Sequence, residues 1–290
     1  MADLNEIDEV SGVETTGHSW DGIKELNNPL PRWWLWTFYL SILFSIGYVI
    51  AYPAIPGLHG ASKGVLGWSS RAEFRTEAAT FDATNADTVA KIKSSSITDI
   101  LADEHLRTFA VAAGASTFKV RCAPCHGSGA QGSVGFPNLN DNSWLWGGKP
   151  EQILQTITHG VRDPSDKDTR FSQMPAFGHD GILKPEEIAA VANYVRQISK
   201  QTSDPAQAAT GAKIFADNCV ACHGDQGQGN KELGAPQLNK SIWLYKGDLD
   251  TIEAQVNNPR QGMMPAWGSK LGEVSVKELA AYVHSLGGGE

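Results

Sequence analysis

The hydrophobic pattern of the chain begins with a polar segment that leads into one long apolar run. The run extends from Trp33 to Tyr52 and contains no charged residue. Its length is about the 20 residues that a helix needs to cross the hydrocarbon core of a membrane. Tryptophans begin the run and tyrosines end it, which is typical of side chains at the two membrane surfaces. A cleaved signal peptide would need a basic start and a small-residue cleavage site, so we predict a transmembrane helix.

The rest of the chain has the apolar spacing of helices. Ile188, Val191, Ala192 and Val195 recur at the helical period, for example. We find no convincing alternation of apolar and polar residues that would indicate strands. The polar, alanine-rich stretch before residue 108 predicts a tether with some helix. The pattern therefore predicts an all-α protein with one N-terminal transmembrane helix.

The helical part contains an internal repeat. The sequence GASTFKVRCAPCHG from Gly114 matches GAKIFADNCVACHG from Gly211, and MPAFG from Met174 matches MPAWG from Met264. The first copy is longer by the polar stretch RDPSDKDTRFSQ. The polar, proline-bearing SKQTSDPAQ reads as a linker between the copies. We predict five regions: an N-terminal segment (1–32), the transmembrane helix (33–53), the tether (54–107) and two homologous domains (108–200 and 201–290).

Charge and cysteine usage narrow the possible functions. The net charge is -8, and most of the negative excess lies in the first 32 residues. The sequence contains no stripe of basic residues of the kind that indicates a nucleic-acid partner. The four cysteines all lie in the two repeated motifs, so none remains for a structural disulfide elsewhere.

The repeated motif Cys-x-x-Cys-His has four possible roles. A disulfide leaves the histidine unexplained, and a redox dithiol normally follows a strand in a βαβ unit. A zinc site does not need histidine directly after the second cysteine. Covalent attachment of haem uses all three residues, because two thiols one turn apart can bond one porphyrin while the histidine faces the iron. We predict two covalently bound haem c groups, on Cys122 and Cys125 with ligand His126, and on Cys219 and Cys222 with ligand His223.

Methionine is the candidate ligand for the opposite side of each iron. Apart from Met1, the chain contains only Met174, Met263 and Met264, all in Met-Pro-Ala segments downstream of a haem motif. The repeat alignment selects Met174 and Met264 as ligands. Pairing within each repeat and crossed pairing use the same four ligands, so the sequence leaves the choice open. Histidine–methionine ligation suits electron transfer, and it leaves no open iron position for substrate chemistry, so we expect no catalytic residue in this chain.

Residues 105–290 resemble two class I cytochrome c domains, and the N-terminal part narrows the resemblance. The stretches DGIKELNNPLPRWW from Asp21 and YPAIPGLHGASKGVLGWSS from Tyr52 flank the apolar run. With the haem motifs, they resemble the diheme cytochrome c subunit (subunit III, the CcoP/FixP family) of cbb3-type cytochrome c oxidases. The class I resemblance implies that the carbonyls of Pro137 and Pro236 accept hydrogen bonds from the ligand histidines. Four aromatic residues are expected to wall the porphyrins: Trp144, Trp146, Trp243 and Tyr245.

The family resemblance implies a location and partners. The chain would lie in the bacterial inner membrane in contact with lipid, with a cytoplasmic N-terminus and periplasmic haem domains. It would receive electrons from a donor cytochrome c or the quinol–cytochrome c reductase. It would pass them on within an oxidase that also contains a haem–copper catalytic subunit and a monohaem cytochrome c subunit.

Two alternative functions remain at this point. The first is a membrane-anchored diheme carrier that serves another reductase, which co-purification with a haem–copper subunit would exclude. The second is a diheme peroxidase, which needs an exchangeable iron position and would bind carbon monoxide or peroxide.

Overall fold

The computed structural model describes residues 6–58 and 60–288. The chain separates into two compact units, residues 1–84 and 85–290. The first unit contains strands β1 (Thr15–Trp20), β2 (Ile23–Leu26), β3 (Pro56–Gly57) and β4 (Gly60–Ala61), and helix α1 (Arg32–Ala51). Helix α2 (Ser70–Ser94) extends across the boundary between the units.

The other helices lie in the second unit. They are α3 (Ile97–Ala102), α4 (Glu104–Arg121), α5 (Ala123–His126), α6 (Pro150–His159), α7 (Pro185–Ile198), α8 (Pro205–Asn218), α9 (Val220–His223), α10 (Leu249–Asn257) and α11 (Gly268–Ser285).

A small hairpin precedes the apolar helix. Strands β1 and β2 pair antiparallel around Asp21 and Gly22, whose φ angles are 49° and 86°. Two successive positive φ angles fit a type I′ turn, for which Asp-Gly is a preferred sequence. The sequence analysis predicted no secondary structure for this N-terminal segment, and the Asp-Gly dipeptide was the signal that could have located the hairpin.

Helix α1 is the predicted membrane span. It is long and apolar enough to cross a membrane, and none of its residues is buried in the structure. The following chain returns to cover its end, because the amides of Val65 and Leu66 donate to the carbonyls of Ile50 and Ala51 at 2.9 and 3.1 Å. These bonds satisfy carbonyls that have no partner within the helix.

The second unit contains two clusters of buried apolar residues, and each cluster combines parts of both sequence repeats. The first joins α3 of the predicted tether, and α4 and α6 of the first repeat, to α11 of the second repeat. The second joins α7 of the first repeat to α8 and α10 of the second. We call the first group module 1 (residues 92–160 and 262–286) and the second group module 2 (residues 174–257). Module 2 is continuous in sequence and is inserted within module 1.

Glycines allow the central helix crossing in each module. A Cβ atom on Gly114 of α4 would collide with the carbonyl of Glu278 on α11, and one on Gly211 of α8 would collide with the carbonyl of Ala190 on α7. The same close crossing therefore occurs twice, each time between helices from different repeats. The predicted boundaries at 108–200 and 201–290 stay a prediction about the sequence repeats, while the packing groups the helices in this crossed manner.

Candidate haem sites

The two cysteine–histidine motifs have the same local structure. Helix α4 ends at Arg121, Cys122 follows, and the short helix α5 carries Cys125 and His126. In the same way, Cys219 follows the end of α8, and the short helix α9 carries Cys222 and His223.

The first cysteine of each motif is unlike the reactive cysteine of a redox dithiol. All four cysteines are free, with the first of each pair half-buried and the second exposed. Burial raises the pKa of Cys122 and of Cys219 to about 11. A redox dithiol instead needs a lowered thiol pKa.

Each motif histidine is held in one orientation by a backbone carbonyl. His126 and His223 are buried, and their Nδ1 atoms lie 3.0 Å from the carbonyl oxygens of Pro137 and Pro236. These are the contacts that the class I resemblance implies. If Nδ1–H donates to the carbonyl, Nε2 carries the free lone pair. Burial lowers the pKa of both imidazoles, although the carbonyl bond opposes this effect. The neutral form that ligates metals is thus favoured.

A glycine turn brings each proline back to its histidine. Gly132 and Gly229 have φ angles of 70° and 76°, and their amides donate to the carbonyls of His126 and His223 at 2.7 Å. A Cβ atom at either glycine would collide with the carbonyl just before the proline. The local sequence therefore fixes the proline carbonyl next to the imidazole.

The candidate methionine ligands lie in different modules from the motifs of their own repeats. Met264 packs against the core that also contains Cys122, and Met174 packs against the core that contains Cys219. Met263 is 57% exposed. The structure thus brings Met264 to the core of the His126 motif and Met174 to the core of the His223 motif.

Three of the four predicted aromatic residues, Trp144, Trp243 and Tyr245, line one cavity. This cavity of about 290 Å³ is also lined by both prolines that face the histidines. Trp146 and Tyr245 reach across the repeats, because a Cβ atom on Gly234 would collide with the Trp146 ring and one on Gly135 would touch Tyr245.

Arginines that the sequence analysis did not consider stack on the last two aromatic rings. The guanidinium of Arg170 lies 5.3 Å from the ring centre of Trp146, and that of Arg260 lies 4.2 Å from Tyr245. Arginine over an aromatic face is a favourable cation–π contact. The signal for Arg170 was its place in the extra polar stretch of the first repeat.

Comparison with protein families accounts for the three parts of the chain. The N-terminal domain of cytochrome oxidase-cbb3, FixP, matches residues 12–59. The cytochrome c family matches residues 111–199, and the cbb3-type subunit III of cytochrome c oxidase matches residues 206–283. Two cytochrome c domains behind one apolar helix make the chain a c-type cytochrome, and they confirm the predicted fold class.

Curated relatives cover the whole chain. It is 55% identical over 291 residues to the cbb3-type cytochrome c oxidase subunit FixP of Sinorhizobium medicae, with 100% of both chains covered. It is 51% identical to the FixP subunit of Bradyrhizobium diazoefficiens, again with 100% of both covered. It is 50% identical to the CcoP subunit of Cereibacter sphaeroides, with 95% of both covered.

The chain belongs to the FixP/CcoP family of cbb3-type cytochrome c oxidase subunits. Its cytochrome c domains imply binding of haem c and identify an electron-transfer subunit of the oxidase. The apolar helix and the family agree with anchoring in a membrane.

Proposed function

We propose that this chain conducts electrons through two covalently bound haem c groups and performs no oxygen chemistry itself. Electrons enter from a donor cytochrome c or the quinol–cytochrome c reductase and leave towards the haem–copper subunit of the oxidase. The main support for this proposal is that a proline carbonyl fixes each motif histidine, and that a methionine packs against the same core as the first cysteine of that motif. That arrangement offers one protein ligand for each side of an iron.

The chain's own residues bind and shield the two groups. Cys122, Cys125, Cys219 and Cys222 supply the thiols for thioether bonds. The haem iron, once bound, supplies a one-electron redox centre whose potential depends on its axial ligands and on burial. His126 and His223 supply imidazole nitrogen, and the apolar cores around both motifs exclude water.

The ligand pairing that we propose is crossed. His126 pairs with Met264, and His223 pairs with Met174. The core membership of the two methionines supports this pairing, as does the short antiparallel contact between Val161 and Met264. In that contact the two N···O distances are 2.9 and 3.0 Å. Pairing within each repeat would require each methionine to leave the core in which it packs.

Full-length chains with one haem test this pairing. In the variant Cys219→Ala/Cys222→Ala, only the haem on His126 is covalently attached. Crossed pairing predicts that Met264→Ala then abolishes the near-infrared methionine–iron band and that Met174→Ala preserves it. The reciprocal chain, Cys122→Ala/Cys125→Ala, should give the opposite result. Loss of the band with Met174→Ala in the first chain would establish pairing within the repeat.

The same material tests the role as a conductor. With both irons closed by protein ligands, the reduced chain should not bind carbon monoxide, whereas a peroxidase would. Co-purification with a haem–copper subunit and a monohaem cytochrome c subunit distinguishes the oxidase subunit from a free carrier.

The proposed orientation, in a bacterial inner membrane with periplasmic haem modules, predicts that protease added to intact spheroplasts cleaves the tether.

A further inference from the structure

The segment after α6 lies beside the methionine loop of the other repeat and binds it at several points. Val161 exchanges both backbone hydrogen bonds with Met264. The two following residues, Arg162 and Asp163, bind the backbone on either side of Met264 through their side chains. Residues 161–163 belong to the first repeat, so this contact joins the two repeats at the candidate ligand of module 1.

Asp163 binds the loop on the C-terminal side of Met264. One carboxylate oxygen accepts a hydrogen bond from the amide of Ala266 at 2.7 Å. The other oxygen accepts from the amide and hydroxyl of Ser165 at 2.9 and 2.7 Å. Asp163 is 5% exposed, and a buried carboxylate is stable only when its oxygens are bonded in this way. Hydrogen bonds to a charged group are also stronger than neutral ones.

Arg162 binds the loop on the N-terminal side of Met264. Its Nε donates to the carbonyl of Gly262 at 2.7 Å, and its Nη1 donates to the carbonyl of Ser172 at 3.1 Å. The backbone of Arg162 has a φ of 54°, which is unfavourable for a residue with a side chain. Such a conformation persists where the surrounding contacts determine it.

Module 2 has matched positions with weaker contacts. Arg260 and Gln261 follow the end of α10 at the same distance as Arg162 and Asp163 follow the end of α6. Gln261 donates one neutral hydrogen bond to the carbonyl of Met174 at 3.0 Å. Arg260 bonds to Gln255 of the preceding helix α10 instead of the methionine loop.

We propose that Arg162 and Asp163 are positioning residues that hold Met264 on the iron of module 1. This inference rests on the proposed crossed ligation. The two residues act through the backbone of Gly262 and Ala266 and do not themselves touch the iron. Because the loop of module 2 has no charged counterpart to Asp163, Met264 is held more firmly than Met174.

The test uses substitutions in the purified oxidase complex. Asp163→Ala removes the bonds to Ala266 and Ser165, and we expect the dissociation constant of Met264 from its iron to rise about tenfold to hundredfold. The near-infrared methionine–iron band of one haem should weaken, the ferrous form of that haem should bind carbon monoxide, and its reduction potential should fall. Arg162→Ala should produce the same changes to a smaller extent.

Asp168→Asn is the matched control, because Asp168 is an exposed acid of the same loop. It should leave the band and both potentials unchanged. Gln261→Ala should weaken the band of the other haem, by less than Asp163→Ala does. A purely structural role for Asp163 would lower the unfolding temperature without changing the band or the potential of the folded protein, and that result would overturn the proposal.

The single-haem chains separate this proposal from the ligand pairing. If both are correct, Asp163→Ala weakens the band only in the chain that retains the haem on His126. If Arg162 and Asp163 do position Met264 but the crossed ligand pairing is wrong, Asp163→Ala weakens the band only in the chain that retains the haem on His223. If neither Asp163→Ala nor Arg162→Ala changes the band in either chain, the positioning role of these residues is refuted. The crossed ligand pairing is then decided by its own test.

Discussion

Glu278 is an ionisable residue inside the crossing of α4 and α11. It is 7% exposed, and burial raises its pKa to about 7. Its carbonyl lies opposite Gly114 just as that of Ala190 lies opposite Gly211, so alanine occupies the equivalent place in module 2. Module 1 thus contains a carboxyl group where the related crossing has a methyl group.

The raised pKa predicts a pH dependence of stability. Between pH 4.5 and about 7 the folded chain binds more protons than the unfolded chain, so the free energy of unfolding should fall as the pH rises through this window. Glu278→Gln should remove this dependence and should be more stable than the parent chain at pH 8, with little difference near pH 4.5. Thermal unfolding of the detergent-solubilised chain measures this effect, and the exposed Glu232→Gln is the control. Equal pH profiles for the parent chain and Glu278→Gln would contradict the assignment.

At the scale of residues, the sequence was sufficient to select the candidate ligands. Each motif histidine contacts its predicted proline carbonyl, and each matched methionine packs against a core that includes the first cysteine of one motif. The sequence could not identify Arg162 and Asp163, because their role depends on a backbone segment about 100 residues away. Only the folded chain brings the two segments together.

At the scale of elements, the crossing helices explain why the sequence left the pairing of histidine and methionine ligands undecided. Helices α7 and α11 present similar apolar residues to their partners, with Val191 and Val195 in one and Leu279 and Val283 in the other. Either helix therefore has the pattern needed to pack on α4 or on α8. An alignment of repeats gives the same result for both arrangements, so it cannot show which helix completes which core.

The close helix crossings predict that two glycine substitutions each destabilise only one module. Gly114→Ala should separate α4 from α11, and Gly211→Ala should separate α8 from α7, because the added methyl group meets backbone in each case. Overpacking of this kind typically costs about 1–3 kcal/mol. Hydrogen exchange should increase in module 1 for the first variant and in module 2 for the second, while Ser116→Ala on the exposed face of α4 changes neither. Exchange that increases along the first or second sequence repeat instead would contradict the crossed packing.

At the scale of the whole C-terminal unit, Lys277 joins the end of α2 to α11 within module 1. Its side chain is largely buried, and its Nζ donates to the carbonyls of Lys93 and Ser95 at 2.7 and 2.9 Å. It also contacts Glu273 at 2.8 Å. The ammonium group satisfies carbonyls that the end of a helix leaves without partners. The last turn of the tether helix is thereby attached to α11.

Removal of this ammonium group should loosen the end of α2. Lys277→Met leaves the carbonyls without their charged donor, and a hydrogen bond to a charged group contributes about 1.5–3 kcal/mol. Hydrogen exchange of residues 92–97 should therefore become faster by about tenfold or more. Lys213→Met, at an exposed position on α8, is the control. Unchanged exchange at the end of α2 would show that Lys277 does not hold it.

The insertion of module 2 within module 1 has a consequence for biosynthesis. Ribosomes make the chain from its N-terminus, so residues 174–257 are all present before residues 262–286 have been translated. Module 2 can fold while the chain is still being translated, whereas module 1 cannot fold completely until its final helix has been made. A product terminated prematurely after residue 257 would contain both cysteine motifs but only one complete helical shell, and its first motif would stay open to proteases.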